Sequence, residues 1–155
     1  MDTESQKNIE WKCFAFEELS GKQLYEVLAL RNEVFVVEQN CPYQDADEKD
    51  FEALHLCGMN ENELVAYARI LPPGTSYQET SIGRVVTKKD HRRNGLGIRL
   101  MQEALVLCRK KFANAPIKIS AQVYLLDFYT NLGFIPMGEQ YLEDNIPHMA
   151  MIFGK

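Results

Sequence analysis

Hydrophobic residues follow two different periods along the chain, and these periods predict the order of strands and helices. Residues 9–16 alternate loosely and include Trp11, which indicates a first strand. Ser20, followed three residues later by Gln23, forms a capping-box pattern, and apolar residues keep helical spacing behind it to about Val37. The chain is therefore predicted to begin with a strand and a helix.

Three strand-like runs follow a polar, acidic segment at residues 38–52, which Pro42 interrupts. Residues 53–59 and 64–71 are rich in strand-forming residues, and the turn sequence NENE between them predicts a hairpin. Residues 80–87, with the sequence TSIGRVVT, predict a further strand.

The second half of the chain predicts two helices and three strands. Residues 95–112 carry apolar side chains on one helical face, as packing on a sheet requires. Residues 117–122 read as a short strand, residues 124–132 as a short helix that Gly133 ends, and residues 134–153 as a pair of strands. This order predicts an α+β fold with a largely antiparallel sheet.

Composition and charge narrow the class of protein. The 155 residues are 46% hydrophobic and 25% charged, which suits one globular domain over residues 1–155. The net charge of −5 argues against a protein that mainly binds nucleic acid, because phosphate binding draws on surplus Lys and Arg. The four cysteines form no C-x-x-C pair, so neither a zinc site nor another metal site nor a disulfide scaffold is indicated. Because the chain shows no signal-peptide pattern and no run of ~18 apolar residues, we expect a cytoplasmic protein without a membrane span.

Gly95 and Gly97 stand two residues apart where the helix of residues 95–112 is predicted to begin. Glycine inside a helix costs ~1 kcal/mol relative to alanine, so the pair suggests that something approaches the backbone closely. A helix N-terminus offers unpaired N–H groups and the positive end of the helix dipole, both of which attract anions.

The basic residues around these glycines favour a phosphate or pyrophosphate ligand. Arg92, Arg93 and Arg99 supply cations at the same helix start. The pattern of a nucleotide P-loop is absent, and a dinucleotide fingerprint would need a third glycine where Leu100 stands. The glycines alone leave a second interpretation open, namely a turn before an ordinary amphipathic helix.

Several segments resemble the GCN5-related N-acetyltransferase (GNAT) family, and they occur in the family's order. RRNGLG at residues 92–97 is similar to its R/Q-x-x-G-x-G/A loop, and SIGRVVT at residues 81–87 resembles the strand that cradles acetyl-CoA. QVYLLDFYTNLGF at residues 122–134 resembles the pattern N-x-x-A-x-x-F-Y-x-x-x-G-F. VFVVEQNCPYQDADEKD and NIPHM resemble the ElaA-like branch, so the likeness covers nearly the whole chain.

The resemblance implies an acetyl-CoA-dependent N-acetyltransferase whose mixed, largely antiparallel sheet is flanked by helices and splayed at the acetyl-CoA groove. The pantetheine arm would pair with the strand at residues 85–87, where Gly83 suits a local distortion. Gln122 stands where many members carry Asn, and it can make the same bonds from a longer arm. The implied cofactor-binding residues are Val85, Val86, Thr87, Arg92, Arg93, Asn94, Gly95, Leu96, Gly97, Ile98, Gln122 and Tyr129.

For the transfer step, the resemblance implies that a backbone N–H near Val86 stabilises the oxyanion and that Tyr129 is the general acid. Tyr129 has an alternative role as a packing residue beside Phe128. An amine acceptor with a pKa of about 10.4 needs help to lose its proton at neutral pH. The candidates for the base are Glu38, His55, Glu143 and His148.

The acceptor amine stays open among small amines, amino acids, peptide N-termini and lysine side chains. The acidic residues 45–50 could attract a cationic amine, although a solvated surface loop is the simpler interpretation. Because no credible Cys–His nucleophile pair is present, direct transfer in a ternary complex is favoured, and the resemblance is compatible with a homodimer. The rival functions are a non-catalytic acyl-CoA-binding or regulatory module and, against the net charge, a nucleic-acid-binding domain that uses residues 88–93.

Overall fold

The computed structural model describes residues 8–154, which form seven strands and three α-helices. The strands are β1 (Ile9–Ala15), β2 (Leu54–Asn60), β3 (Glu63–Leu71), β4 (Thr80–Thr87), β5 (Ile117–Gln122), β6 (Ile135–Glu143) and β7 (Ile146–Phe153). The α-helices are α1 (Gly21–Arg31), α2 (Leu96–Phe112) and α3 (Leu126–Asn131). One mixed sheet has the order β1-β2-β3-β4-β5-β7-β6, and only its β4–β5 pair is parallel. The predicted α+β class with a largely antiparallel sheet is confirmed.

Helix α1 begins at the predicted capping box, and a π-helix follows it directly. The Gln23 N–H donates to Ser20 Oγ at 3.1 Å, and the Ser20 N–H donates to Gln23 Oε1 at 2.8 Å. Beyond α1, Asn32–Glu38 form a π-helix, in which the Gln39 N–H bonds to the Val34 carbonyl at 3.1 Å. The sequence predicted one continuous α-helix here, because the spacing of apolar residues does not distinguish an α-helix from a π-helix. Such π-turns often occur at functional sites.

Two hairpins close with two-residue turns whose residues adopt left-handed conformations. Glu61 and Asn62, between β2 and β3, have φ of 50° and 72°. Asp144 and Asn145, between β6 and β7, have φ of 51° and 63°. Positive φ at both central residues is the type I′ geometry, whose twist matches that of the flanking strands.

Alternate residues of β3 belong to two different hydrophobic clusters. Ala66, Ala68 and Ile70 pack with α2, whereas Tyr67 packs with Val27 of α1. Successive strand residues point to opposite faces, so the two helices cover opposite faces of the sheet. Within residues 8–154, no helix combines the length and hydrophobicity that a membrane span requires.

Strands β4 and β5 pair only where they begin. Thr80 pairs with Ile117 and Ser81 with Lys118, and no further pairs join the two strands. Beyond these residues β4 stays paired with β3, while β5 stays paired with β7 as far as Gln122. A gap therefore opens between the later halves of β4 and β5, and the predicted splay of the sheet is confirmed.

A β-bulge lies beside this gap. Two residues of β4, Arg84 and Val85, stand opposite a single residue of β3. Arg84 has φ of 48°, whereas Gly83 lies outside the left-handed region. Sequence reasoning assigned the distortion to Gly83, and the structure corrects this to Arg84. A non-glycine residue held there costs roughly 1–3 kcal/mol of strain.

The acidic loop between the π-helix and β2 is partly buried, which corrects the simpler interpretation of a solvated surface loop, although Glu48 is exposed. Asp45 and Asp50 are only 7% and 5% exposed. The fully buried Arg31 bonds to Asp45 Oδ2 through Nε at 2.6 Å and to Asp50 Oδ1 through Nη1 at 2.8 Å. Arg69 Nη1 bonds to Asp47 Oδ1 at 2.6 Å and to Asp50 Oδ1 at 3.0 Å.

Arg84 completes an arginine–aspartate cluster that consists of Arg31, Arg69, Arg84, Asp45, Asp47 and Asp50. Its three positive and three negative charges balance, as burial requires. Burial, the largest single influence, would raise the pKa of Asp50, but the hydrogen bonds and charges of Arg31 and Arg69 together outweigh it, and the pKa lies below its ordinary value. Removing one partner of such a buried pair typically costs about 3–5 kcal/mol.

His55 is fully buried beside this cluster. Its Nδ1 lies 2.7 Å from the Tyr67 hydroxyl oxygen, and its Nε2 lies 2.9 Å from the Asp50 carbonyl oxygen. A carbonyl only accepts, so Nε2 carries the ring proton and the Tyr67 hydroxyl can donate to Nδ1. The neutral ring therefore satisfies both contacts, and burial lowers the pKa of His55.

We expect this histidine to make the protein less stable in mild acid. The pKa of His55 is lower in the folded state than in the unfolded state. The contribution of His55 to the free energy of unfolding is therefore complete above the ordinary pKa of about 6.5, and it is lost as the pH falls through the folded-state pKa. Urea unfolding from about pH 7 to pH 5 should show a falling free energy of unfolding, with a shallower fall in a His55→Gln variant. Equal slopes in the two proteins would contradict this assignment.

Candidate active site

The gap between β4 and β5 opens into one cleft with a volume of about 450 Å³. This volume lies within the range of roughly 300–1,000 Å³ that is usual for small-molecule sites. The cleft brings together ten of the predicted site residues, namely Glu38, Val85, Val86, Thr87, Arg92, Gly97, Gln122, Tyr129, Glu143 and His148. The other predicted cofactor residues, Arg93, Asn94, Gly95, Leu96 and Ile98, form the turn and the first helical residues next to it. His55 lies apart, beside the arginine–aspartate cluster, and its burial argues against a role as the base.

The two glycines at the start of α2 have different structural roles. Gly95 caps the helix with φ of 82°, a conformation that favours glycine. Gly97 lies in the helix, and a Cβ built there would meet nothing closer than an atom of Phe128 at 3.7 Å, an ordinary contact. The buried Leu96 anchors this turn in the hydrophobic core. Folding therefore accounts for Gly95 but does not require glycine at position 97.

The Arg92 guanidinium is occupied by groups of the protein itself. Its Nη1 and Nη2 bond to the two carboxylate oxygens of Glu38 at 2.6 and 3.1 Å. Its Nε and Nη2 bond to the Thr87 carbonyl oxygen at 3.1 and 3.0 Å. The hydrogen bond from Arg92 lowers the pKa of Glu38, so this carboxylate would act as a base only after the pair opens. Arg92 thus joins the end of the π-helix to the end of β4.

Tyr129 is both a packing residue and part of the cleft. Its side chain lines the cleft, and its ring makes edge contacts with Phe128 and Phe134 at centroid distances of 5.0 and 5.8 Å. Gly133, with φ of 108°, ends the helical segment, and the Phe134 N–H bonds to the Tyr129 carbonyl at 3.1 Å. Burial raises the pKa of Tyr129 to about 12, so the phenol keeps its proton at neutral pH and can donate it.

His148 lies opposite Gln122 in the pairing of β5 with β7, and its side chain lines the cleft. Nδ1 lies 2.6 Å from the Ile146 carbonyl oxygen, which only accepts, so Nδ1 carries the proton of the neutral ring. Nε2 then holds a lone pair and lies 3.3 Å from Glu143 Oε2. A proton received at Nε2 would be stabilised by this carboxylate. The ring is stacked on Tyr141 at 6.1 Å, which fixes its plane.

Two glutamines meet across one side of the cleft. The side-chain amides of Gln39, just after the π-helix, and Gln122, at the end of β5, contact each other at 3.4 and 3.5 Å. Sequence reasoning singled out Gln122 from the family pattern but not Gln39, because no local signal links residues so far apart in the chain.

Sequence reasoning also missed the arginine–aspartate cluster, although a signal was present. Arg31, Arg69 and Arg84 each interrupt an apolar helical or strand pattern. A charged side chain at a buried position requires a partner, and the aspartates of the acidic loop supply it. Through Tyr43 and Arg84, this cluster reaches the wall of the cleft. Within the described residues, no group of three or more His, Cys, Asp or Glu side chains could hold a metal ion.

The splayed sheet and its cleft can be compared with known proteins. Residues 12–154 match the acetyltransferase (GNAT) domain. The chain belongs to the GNAT family. This GNAT chain is 45% identical to protein ElaA of Escherichia coli strain K12 over 145 residues, which cover 92% of the chain and 95% of ElaA.

Two solved structures agree with this membership. The crystal structure of Escherichia coli ElaA matches with a TM-score of 0.88 at 44% sequence identity, over 94% of this chain and 99% of that chain. The crystal structure of an acyl-CoA N-acyltransferase from Pseudomonas aeruginosa also gives 0.88, at 41% identity, over 93% of this chain and 99% of that chain. The predicted family, its ElaA-like branch and the helix-flanked, splayed sheet are confirmed. The GNAT fold supports acyltransferase activity in general and generally binds an acyl-CoA and an amine acceptor.

Proposed function

We propose that this GNAT chain transfers an acetyl group from acetyl-CoA to an amine by direct attack in a ternary complex. The observation that carries the proposal is one cleft that is lined by Gly97 of the α2 start and by Tyr129 and His148. Along one wall runs the part of β4 that has lost its neighbour β5. An anion-binding helix start and proton-transferring side chains in the same cleft suit a long substrate with a phosphate end and a reactive end.

The residues present fit coenzyme A. The first N–H groups of α2 have no partner within the helix and suit the pyrophosphate, which Gly97 lets approach the backbone. The open edge of β4 around residues 85–87 could pair with the pantetheine amides in the manner of an added strand. Gln122 could hydrogen-bond the same arm from the β5 side. The bound cosubstrate would supply an activated thioester, and the chain would supply orientation and proton transfer.

Tyr129 is the group that we assign to protonating the departing thiolate. Its phenol is protonated at neutral pH, and it lines the cleft. A backbone N–H near Val86 stays the predicted donor to the carbonyl oxygen of the acetyl group.

His148 is the group that we assign to receiving the proton of the amine. Of the four candidates, His55 is buried outside the cleft and Glu38 is held by Arg92. His148 offers a lone pair at Nε2, and Glu143 stands beside it to stabilise the proton once it has moved. Glu143 is thus a positioning partner of His148 rather than a separate base.

The cosubstrate assignment is tested by binding to the unsubstituted chain and to Gly97→Ala. Acetyl-CoA at about 100 times its Kd should add about 2.7 kcal/mol to the free energy of unfolding, and NAD should add much less. Gly97→Ala should stabilise the protein without ligand by up to about 1 kcal/mol, because alanine favours a helix more than glycine does. The same variant should bind acetyl-CoA more weakly, because the added methyl group obstructs the approach of the pyrophosphate to the backbone. The matched control is Gly21→Ala in α1, where an added Cβ meets nothing within 4 Å. Equal shifts with NAD, or a Gly97→Ala variant with undiminished binding, would reject the pyrophosphate assignment.

Replacing Tyr129 by Phe tests the general acid after a panel of amines has been screened for acetyl-CoA-dependent thiol release. The panel should include small amines, amino acids, peptides with free N-termini and peptides with lysine. Tyr129→Phe keeps the ring contacts, so acetyl-CoA affinity should change little, whereas kcat should fall by about 10²–10⁴-fold, the usual range for general acid catalysis. Tyr25→Phe, at an exposed position on α1, is the control. Unchanged turnover in Tyr129→Phe would leave the ring as packing and the acid to water.

Replacing His148 by Gln tests the base. We expect kcat/KM for the amine to fall by about 10²–10⁴-fold, and the part of the pH profile in which the rate rises with pH to change shape. Glu143→Gln should cause a smaller loss, because the ring nitrogen stays in place. His91→Gln is the control, since that ring faces Glu63 instead of the substrate-binding residues. A His148→Gln variant with the unsubstituted rate and pH profile would transfer the role to Glu38 or to water.

A further inference from the structure

The bulge of β4 has a non-glycine residue, Arg84, in its left-handed position. Arg84 has φ of 48°, although glycine is the residue that adopts this conformation without steric cost. The neighbouring Gly83 lies outside the left-handed region, so the glycine of this strand does not relieve the bulge. Interactions elsewhere must offset this strain, and the contacts of the Arg84 side chain are suited to do so.

Those contacts all lie in the acidic loop. Arg84 Nε lies 2.8 Å from Asp45 Oδ1, an ion-pair contact without hydrogen-bond geometry, and Arg84 Nη2 donates to the Asp45 carbonyl oxygen at 3.1 Å. The same Nη2 lies 3.4 Å from Asp47 Oδ2. The guanidinium carbon stands over the Tyr43 ring, 6.0 Å from its centroid, and the Tyr43 hydroxyl donates to Asp45 Oδ1 at 2.7 Å.

The acidic loop is in turn fixed to the rest of the fold. Asp45 is held by Arg31 of α1 at 2.6 Å, and Asp47 is held by Arg69 of β3 at 2.6 Å. Charge-assisted, buried contacts of this kind restrict both partners in position and orientation. Arg84 therefore joins the β4 wall of the cleft to the loop that carries Tyr43 on another wall.

We infer that Arg84 is a positioning residue for acyl transfer. By tying the bulge to Asp45 and Asp47, it sets the position of the backbone at Val85 and Val86 and the width of the cleft beside it. The inference rests on the proposed function, in which this backbone receives the carbonyl oxygen of the acyl group. Arg84 acts through the residues that follow it and needs no contact with the reacting atoms.

The test compares Arg84→Gly with Arg84→Lys and with a backbone control. Glycine suits a φ of 48°, so a bulge that only needs conformational freedom would work as well or better with Arg84→Gly. We expect instead that kcat for thiol release at saturating acetyl-CoA falls by about 10–10²-fold, the effect of small misplacement, while KM for acetyl-CoA changes by less than about 3-fold. Arg84→Lys, which keeps the charge but not the forked geometry, should give an intermediate kcat. Glu61→Gly, at a φ of 50° in the β2–β3 turn, should keep the unsubstituted kcat.

Each outcome decides the inference. A folded Arg84→Gly variant with unchanged kcat would overturn it, and so would equal losses in Arg84→Gly and Glu61→Gly. If Arg84→Gly does not fold, Arg84→Lys decides, because a kcat equal to that of the unsubstituted chain would overturn the inference. An unsubstituted chain that neither binds acetyl-CoA nor releases thiol would instead reject the proposed function on which it rests. If the unsubstituted chain turns over, and kcat falls moderately in Arg84→Lys and further in Arg84→Gly, the result supports both the proposed function and the inference about Arg84.

Discussion

Strands β4 and β5 separate after two paired residues, and this separation creates the cleft. If the two strands stayed paired, hydrogen bonds between them would use the backbone N–H and C=O groups on the edge of β4 that faces β5, and no ligand could bind these groups. Because β5 is held by β7 instead, the edge of β4 becomes the wall of a cleft inside the sheet. Backbone groups exposed in this way need partners, and an extended amide-bearing ligand is a suitable one.

The cleft also needs its other walls held in place, and buried charge does this. Three arginines and three aspartates join α1, β3 and β4 to the acidic loop. Taking these groups out of water is costly, and the ion pairs between them offset the cost, while Arg69 Nε and Arg84 Nε keep no hydrogen-bond partner. The same ion pairs give the cluster definite geometry, because a guanidinium and a carboxylate bond well in few orientations. A second tie, from Arg92 to Glu38 and Thr87, joins the π-helix to the end of β4.

Local sequence patterns were sufficient to predict the family and most of the strands and helices, although not the π-helix. The capping box at Ser20, the β2–β3 hairpin and the strand at TSIGRVVT depend on interactions between residues close in the chain, so local patterns were sufficient to predict them. The RRNGLG loop and the segment around Tyr129 are likewise contiguous, and their order along the chain identified the GNAT family before any contact was known.

Contacts between side chains far apart in the chain could be learned only from the assembled fold. The fold placed the bulge at Arg84 instead of Gly83, buried Asp45 and Asp50 of the acidic loop and engaged Glu38 with Arg92. It also put His55 beside the ion pairs, while His148 lines the cleft. Each of these outcomes depends on residues far apart in the chain, such as Arg84 with Asp45 or Gln39 with Gln122. Local patterns carry no information about such pairs, because the contacts form only when the sheet and helices assemble. The requirement that a buried charge find a partner was readable from the sequence, but the identity of the partner was a property of the fold.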